Sequence, residues 1–201
     1  MEIVSRTGAA FPFNNCSTFC VFGPTKCGKS TFLKRLIYEK EQMFEQPPVQ
    51  IMYAYGTWTK GYDEIEKECE DIVFHEGLPT MDDVKTFTDG TEHKMIILDD
   101  LLAEVSASNN VDKLFTLAAH HYCLSVCFIS QNIFPQGKKL RNISLNAHYI
   151  VVFKNTRDVQ QITRLGSQLG SKTLFTQAYN AFTTEKHGYI LIDLTPDCPE
   201  N

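Results

Sequence analysis

The chain has 201 residues, 43% hydrophobic and 21% charged, which suits one globular α/β domain with a substantial core. Its formal net charge of −5 argues against a protein that coats nucleic acid by bulk charge alone. No run of eighteen apolar residues is present, so no membrane-spanning helix is expected, and Met1 to Phe13, with Arg6 as its one base, does not read as a secretory signal. Seven cysteines without Cys-x-x-Cys pairs point to buried thiols in a reducing, intracellular compartment.

In chain order, residues 1–15 read as an arm, with Pro12 and Asn14-Asn15 as breakers. Phe19-Cys20-Val21-Phe22 is a short buried strand. It runs into Gly23-Pro24-Thr25-Lys26-Cys27-Gly28-Lys29-Ser30-Thr31, a full G-x-x-x-x-G-K-[ST] motif. Phe32, Leu33, Leu36 and Ile37 follow at helical spacing, and this helix should end near Gln46 before Pro47-Pro48. Strand, glycine loop and helix are the context in which the motif cradles phosphates. Gly23 and Gly28 admit close backbone approach, and successive N–H groups converge at the positive end of a helix dipole. Lys29 is expected to reach the β- and γ-phosphates and Ser30 to ligate Mg²⁺, with Gly23 to Thr31 binding the nucleotide. The plainer reading is a glycine turn before an amphipathic helix.

Val49 to Tyr53 is the next strand, and Gly56 to Gly61, carrying Trp58, a loop. Tyr62 to Glu70 is mostly polar and reads as a short surface helix, Asp71 to Phe74 as a strand, and Thr80 as a helix start. Lys94 to Asp100 is the second strong signal, four apolar residues ending in two carboxylates at the ligand crevice. This is a Walker B arrangement. Asp99 would hold Mg²⁺, mostly through water, and Asp100 would orient or deprotonate an attacking water. Val111 to Tyr122 has helical spacing. Ser125 to Asn132 is a buried strand with polar residues at its end. Gln131 would lie between the two Walker strands if the order is that of additional-strand ATPases, there to sense the γ-phosphate or position water.

Pro135 to Leu140 is a basic turn and His148 to Phe153 a further strand. Asn155 to Asp158 caps a helix that should stop at Gly166; a second helix, about Lys172 to Phe182, precedes a last strand from Gly188 to Leu194. The tail, 195–201, should fray. Alternating strands and helices indicate a parallel sheet covered on both faces, in one domain over 16–194. Charge is uneven along the chain. Glu39 to Asp112 holds 18 acidic and 5 basic residues, whereas Phe134 to Phe175 holds seven basic residues against Asp158 alone. The basic segment could face the phosphates of a nucleotide or nucleic acid.

The series Gly-Pro-Thr-x-Cys-Gly-Lys-Ser, Ile-Leu-Asp-Asp, Ile-Ser-Gln-Asn, Arg-Asn-x-Ser-Leu-Asn-Ala and Phe-Lys-Asn-x-Arg-Asp occurs in that order. It resembles the viral DNA-packaging ATPases of the FtsK/HerA superfamily over about residues 16 to 170. The likeness is to those of Polinton/Maverick-type elements and adintoviruses, and more distantly to the poxvirus enzymes. The Walker motifs are generic; the Gln131 and Arg141 to Asp158 segments give the likeness its specificity. It implies a RecA-like P-loop NTPase with a mostly parallel central sheet, hydrolysing ATP with Mg²⁺ to move double-stranded DNA. It further implies a homo-oligomer, a ring with active sites shared between subunits, that works with viral capsid components. Its setting would be the cytoplasm or nucleus of an infected cell, or the virion, without a membrane. In such motors a ring neighbour supplies an arginine. Arg141 is the first choice for that finger and Arg157 the second, with an ion pair to Asp158 as the plainer role. The family's second acid is often Glu, so Asp100 departs from its pattern.

The rival from another class is a P-loop kinase of a small molecule such as a nucleoside, which would need an arginine-bearing lid; the Lys138 to Arg141 turn could supply one. Paired Asp99-Asp100 favours water activation instead. A GTPase is weaker, since Asp99 has no glycine three residues later. A non-hydrolysing nucleotide-gated scaffold is disfavoured by intact Lys29, Asp99 and Asp100.

Overall fold

The computed structural model describes residues 3–4, 12–108, 114–115, 123–133 and 143–196. Its frame is an eight-stranded sheet of β1 Ile3–Val4, β2 Thr18–Phe22, β3 Gln50–Tyr55, β4 Ile72–Glu76, β5 Lys94–Asp99, β6 Leu124–Ser130, β7 Tyr149–Phe153 and β8 Tyr189–Asp193. The spatial order is β1-β8-β7-β2-β6-β5-β3-β4. From β7 to β4 every pairing is parallel, while β8 runs antiparallel to β7 and β1 antiparallel to β8. Helices among the described residues include α1 Lys29–Tyr38, α2 Lys40–Met43, α3 Lys60–Glu68, α4 Met81–Phe87, α5 Leu102–Ala107, α6 Val159–Gln168 and α7 Lys172–Phe182.

Alternation along the strands divides the core between two faces. Phe19, Val21, Ile97, Ile129 and Val151 pack with Phe32, Leu33, Leu36 and Ile37 of α1 and with Tyr62 and Ile65 of α3. Cys20, Phe22, Ile96, Phe128 and Val152 pack with Val84 of α4, Val105 of α5, Ile162 and Leu165 of α6, and Phe175 of α7. Burial on both faces is why the central strands read as unbroken apolar runs.

The sheet is mostly parallel, as expected, and departs from that at β8, because two helices rather than one join β7 to β8. One crossover helix would carry the chain to the far end for a parallel strand; the pair α6 and α7 brings it back to the end where β7 finished, so β8 runs back along β7. The expected stop at Gly166 lies inside α6, where an added Cβ would sit 2.9 Å from the Cβ of Phe175. Gly166 therefore serves the close approach of α6 to α7. The helix after the P-loop ends at Tyr38 rather than near Gln46, followed by the single turn of α2. That break turns Phe44 inward onto Phe13 and Phe19, with ring centroids 5.6 and 5.9 Å away.

The segment expected as an arm is tied down at two points. Ile3 and Val4 pair with Ile192 and Leu191, and Phe13 is buried against Phe19 and Tyr149. Tyr62 and Ile65 make α3 a helix with a buried side rather than a wholly surface one. Cys20 and Cys127 are buried as expected, but Cys16 and Cys123 are half-buried with their sulfurs 2.7 Å apart. Burial, with Cys123 alongside, pushes the Cys16 thiol up to about 12. The helix expected over Val111 to Tyr122, apart from Leu114 and Phe115, and the Pro135 to Leu140 turn lie outside the described residues. No helix among the described residues is long and apolar enough to cross a membrane.

Candidate active site

The parallel strands end together. Phe22 lies opposite Ser130 and Val152, Leu98 opposite Phe128, and Asp99 opposite Tyr55. Because β6 lies between β2 and β5, residue 131 emerges between the glycine loop and the two aspartates. At this edge opens a cavity of about 920 Å³. Thr25, Lys26, Gly28, Lys29, Ser30 and Thr31 line it, together with Asp99, Asp100, Gln131, the 57–62 segment and His187.

The loop takes its shape from its sequence. Gly28, the residue before α1, has φ +115, and Lys26 also lies in the left-handed region at φ +65. A Cβ on Gly23 would meet Cys27 Sγ at 2.6 Å and Phe153 Cβ at 2.7 Å. Gly23 and Cys27 thus belong to the packing beneath the loop, and Pro24 contributes its carbonyl; none of the three lines the cavity. Burial raises the pKa of the Cys27 thiol, which keeps it protonated against the pull of nearby Lys29. No side chain caps α1, which leaves its first-turn N–H groups for an anion.

The half-buried Lys29 ammonium donates to Gly23 O at 2.6 Å and Pro24 O at 3.0 Å. Burial lowers its pKa, with Cys27, Asp99 and Asp100 pulling the other way. These carbonyls hold the charge where phosphate oxygens could replace them. The Thr25 hydroxyl lies 3.5 Å from Gln131 Oε1, so the glutamine reaches the phosphate loop. Asp100 is exposed, and its φ of +58 turns the chain sharply after β5.

Asp99 is held more closely. Its Oδ2 accepts from Tyr53 at 2.7 Å and from Tyr62 at 3.0 Å. Burial, then the Asp99 charge, raises the pKa of both phenols well above the ordinary value, so both stay protonated donors. Among the described residues no cluster of three or more His, Cys, Asp or Glu could hold a metal. A divalent ion that keeps most of its water and phosphate ligands needs only one or two protein oxygens. The donor set of Ser30 and Asp99, whose Oδ1 takes no hydrogen bond among the described residues, fits such an ion.

The two arginines fare differently. Arg141 lies outside the described residues. Arg157 is exposed beyond the end of β7 and does not line the cavity; its backbone N–H donates to Asn155 Oδ1. Asp158 caps α6, its carboxylate accepting from the backbone N–H and side-chain amide of Gln161, and no ion pair joins it to Arg157 among the described residues.

Three contributors escaped the sequence reading. Tyr53 was one core residue among many, and Tyr62 lay in a polar helix whose only signal was the Tyr62/Ile65 spacing. His187, in the turn before β8, donates from Nδ1 to Cys27 O at 3.0 Å and so braces the loop. Nothing near it in sequence marks it.

No protein-family model matches the chain, and no curated protein does. Solved structures do. The genome packaging NTPase B204 from Sulfolobus turreted icosahedral virus 2, in complex with ATP-gammaS, aligns at TM-score 0.63 and 14% identity, covering 89% of this chain and 93% of that one. B204, the DNA-packaging ATPase from Sulfolobus Turreted Icosahedral Virus, aligns at 0.64 and 13%, covering 90% and 94%. The AMPPCP complex of the former aligns at 0.56 and 14%. At such identities the correspondence is one of fold, and it extends over nearly the whole of both chains. This chain has the α/β fold of a RecA-like P-loop NTPase, with an additional strand between the glycine-loop strand and the strand of the paired aspartates.

Proposed function

We propose that the chain is an ATP-hydrolysing subunit of a viral genome-packaging motor of the FtsK/HerA superfamily, moving double-stranded DNA. The observation that carries this reading is the meeting of Lys29, Asp99, Asp100 and Gln131 from three adjacent strand ends around one cavity. The fold shared with the B204 packaging ATPases supports it. The narrower likeness to the Polinton/Maverick and adintovirus enzymes rests on the motif series, as do the capsid partners and the infected-cell setting.

In this reading the first turn of α1 and the Lys29 ammonium bind the β- and γ-phosphates. Ser30 and Asp99 would hold Mg²⁺, which neutralises charge on the transferring phosphate when bound. Asp100 accepts a proton from the attacking water, and Gln131 orients that water against the γ-phosphate. Asp100 and Gln131 line the cavity and are exposed, so an arginine from a ring neighbour could reach them and complete the site. Arg141 and, second, Arg157 are assigned that role. An arginine finger is worth about 10³- to 10⁵-fold in turnover, so an isolated subunit hydrolyses ATP poorly.

The test is phosphate release with Mg²⁺-ATP across protein concentration, with and without double-stranded DNA. Turnover per subunit should rise with both. Turnover indifferent to both removes the motor, and phosphate transfer to a nucleoside acceptor in excess of transfer to water restores the kinase. Mixing Arg141→Ala with Lys29→Ala subunits tests the finger, since mixed interfaces should regain part of the activity.

A further inference from the structure

Asp99 is the acid that the nucleotide reading places at the metal, and two tyrosines from different elements bind the same one of its oxygens. Tyr53 is on β3, the strand paired with β5. The register sets Tyr55 opposite Asp99 and Tyr53 opposite Ile97, so Tyr53 and Asp99 share the face covered by α1 and α3. Tyr62 reaches the same oxygen from α3. Tyr53 is 2% exposed and Tyr62 8%, so each hydroxyl is largely shielded from bulk water and favours an acceptor within the protein. Both donate to Asp99 Oδ2, and the two hydroxyls also lie within hydrogen-bond reach of one another.

Two donors from separate elements do what one cannot. A carboxylate with a single partner still swings about its Cα–Cβ and Cβ–Cγ bonds. One oxygen fixed from two directions holds the whole group and leaves the other oxygen for a further ligand. The supporting elements are themselves anchored. Gly56 N donates to Asp99 O at 3.2 Å, closing the start of the β3–α3 connection onto the end of β5. Lys34 of α1 pairs with Glu64 of α3, joining the helix that begins at the phosphate loop to the helix that carries Tyr62.

We infer that Tyr53 and Tyr62 are positioning residues that hold the Asp99 carboxylate in the orientation in which it receives the nucleotide-bound divalent cation. The inference rests on the proposed nucleotide reading. It adds that α3, absent from the Walker motifs, is part of the metal site. Both tyrosines line the cavity, and the role assigned to each is exerted through Asp99.

Tyr62→Phe removes one hydroxyl and keeps the ring that packs on Tyr55, Trp58 and Phe74. Binding is read directly, without turnover, as loss of the free Mn²⁺ electron paramagnetic resonance signal in the presence of saturating ATPγS. Loss of a hydrogen-bond partner behind a metal ligand typically weakens metal binding 10- to 100-fold, so the Mn²⁺ dissociation constant should rise about tenfold. ATPγS affinity in excess chelator should stay within about two-fold of wild type, since the phosphate loop is untouched. Tyr53→Phe, which removes the other donor, is the second variant and should shift Mn²⁺ binding in the same direction. In an Asp99→Asn background Tyr62→Phe should add nothing, because the group it acts through is altered.

Unchanged Mn²⁺ affinity in both tyrosine variants, with melting temperatures near wild type, overturns the inference. So does an undiminished effect of Tyr62→Phe in the Asp99→Asn background, which would mean that the tyrosine acts on the fold generally. Wild-type protein that binds neither ATPγS nor Mn²⁺ removes the nucleotide reading instead, and that titration alone tells the two failures apart.

Discussion

The two ends of the central strands carry different kinds of polarity. At the carboxyl end, Lys29 rests on loop carbonyls, Asp100 and Gln131 are exposed, and the groups surround an open cavity. At the amino end the polar groups are buried and closed upon one another. Ser17 N donates to Ser125 Oγ at 3.1 Å, and Ser125 lies 2.8 Å from His93 Nε2, whose Nδ1 donates to Gln46 O at 2.6 Å. Beside them the Thr18 hydroxyl donates to Asn146 O and the Thr18 N–H to His148 Nδ1. Ser17, Thr18, Ser125 and His93 are all 5% exposed or less. A network with its partners in place stabilises and specifies; groups held ready for a ligand give up stability for binding. One end of the sheet is built to be filled from outside, the other is filled already.

Lys29→Ala is the strongest probe of that division. Turnover should fall by about 10²-fold or more, as for loss of one donor to developing charge, with the melting temperature unchanged or raised because a half-buried ammonium is gone. Phosphate release and calorimetry read the two. Gln131→Ala should lower turnover by about 10- to 100-fold while ATPγS affinity and stability hold, since the side chain is exposed and its hydrogen bond among the described residues is with Thr25.

The amino end should respond in the opposite way. Ser125→Ala strands His93 Nε2 and Ser17 N, and urea denaturation should show a loss of about 1–3 kcal/mol with nucleotide affinity intact. A Ser125→Ala protein of normal stability and impaired hydrolysis would break the comparison.

The mildest test is pH. Burial, with the Lys40 charge adding to it, lowers the His93 pKa from its ordinary 6.5, against the opposing pull of the hydrogen bond to Gln46 O. The unfolded chain takes up that proton near pH 6.5 and the folded protein resists it. This contribution to stability is therefore complete above the unfolded pKa and is lost as pH falls below it, by at most about 1.4 kcal/mol per pH unit. His93→Gln should flatten the wild-type stability profile between about pH 6.5 and 5. Equal slopes in the two proteins would exclude His93 as the source.

Much of the fold was legible because its signals are local. The glycine loop, the apolar runs of β5 and β6, the Thr80 helix start and the Lys172–Phe182 helix all depend on neighbours within a few residues. Gln131 could be placed between the Walker strands only conditionally, and the strand order settles its position. What escaped depends on distant partners. Gly166 carries a stop signal locally but faces Phe175, and β8 takes its direction from the two helices before it. Ile3–Val4 is a strand only because Leu191 and Ile192 offer it an edge.

By itself, the sequence determined that this chain has a glycine loop between a strand and a helix, and a later strand ending in two acids, since backbone conformation and apolar periodicity are written in consecutive residues. The tertiary structure alone decided what surrounds those groups. Tyr53 and Asp99 are 46 residues apart, and Cys27 and His187 160. Such pairs meet only when β3 is laid beside β5 and the turn before β8 is folded back on the loop. No local preference encodes those contacts; they are consequences of how the sheet is ordered and closed.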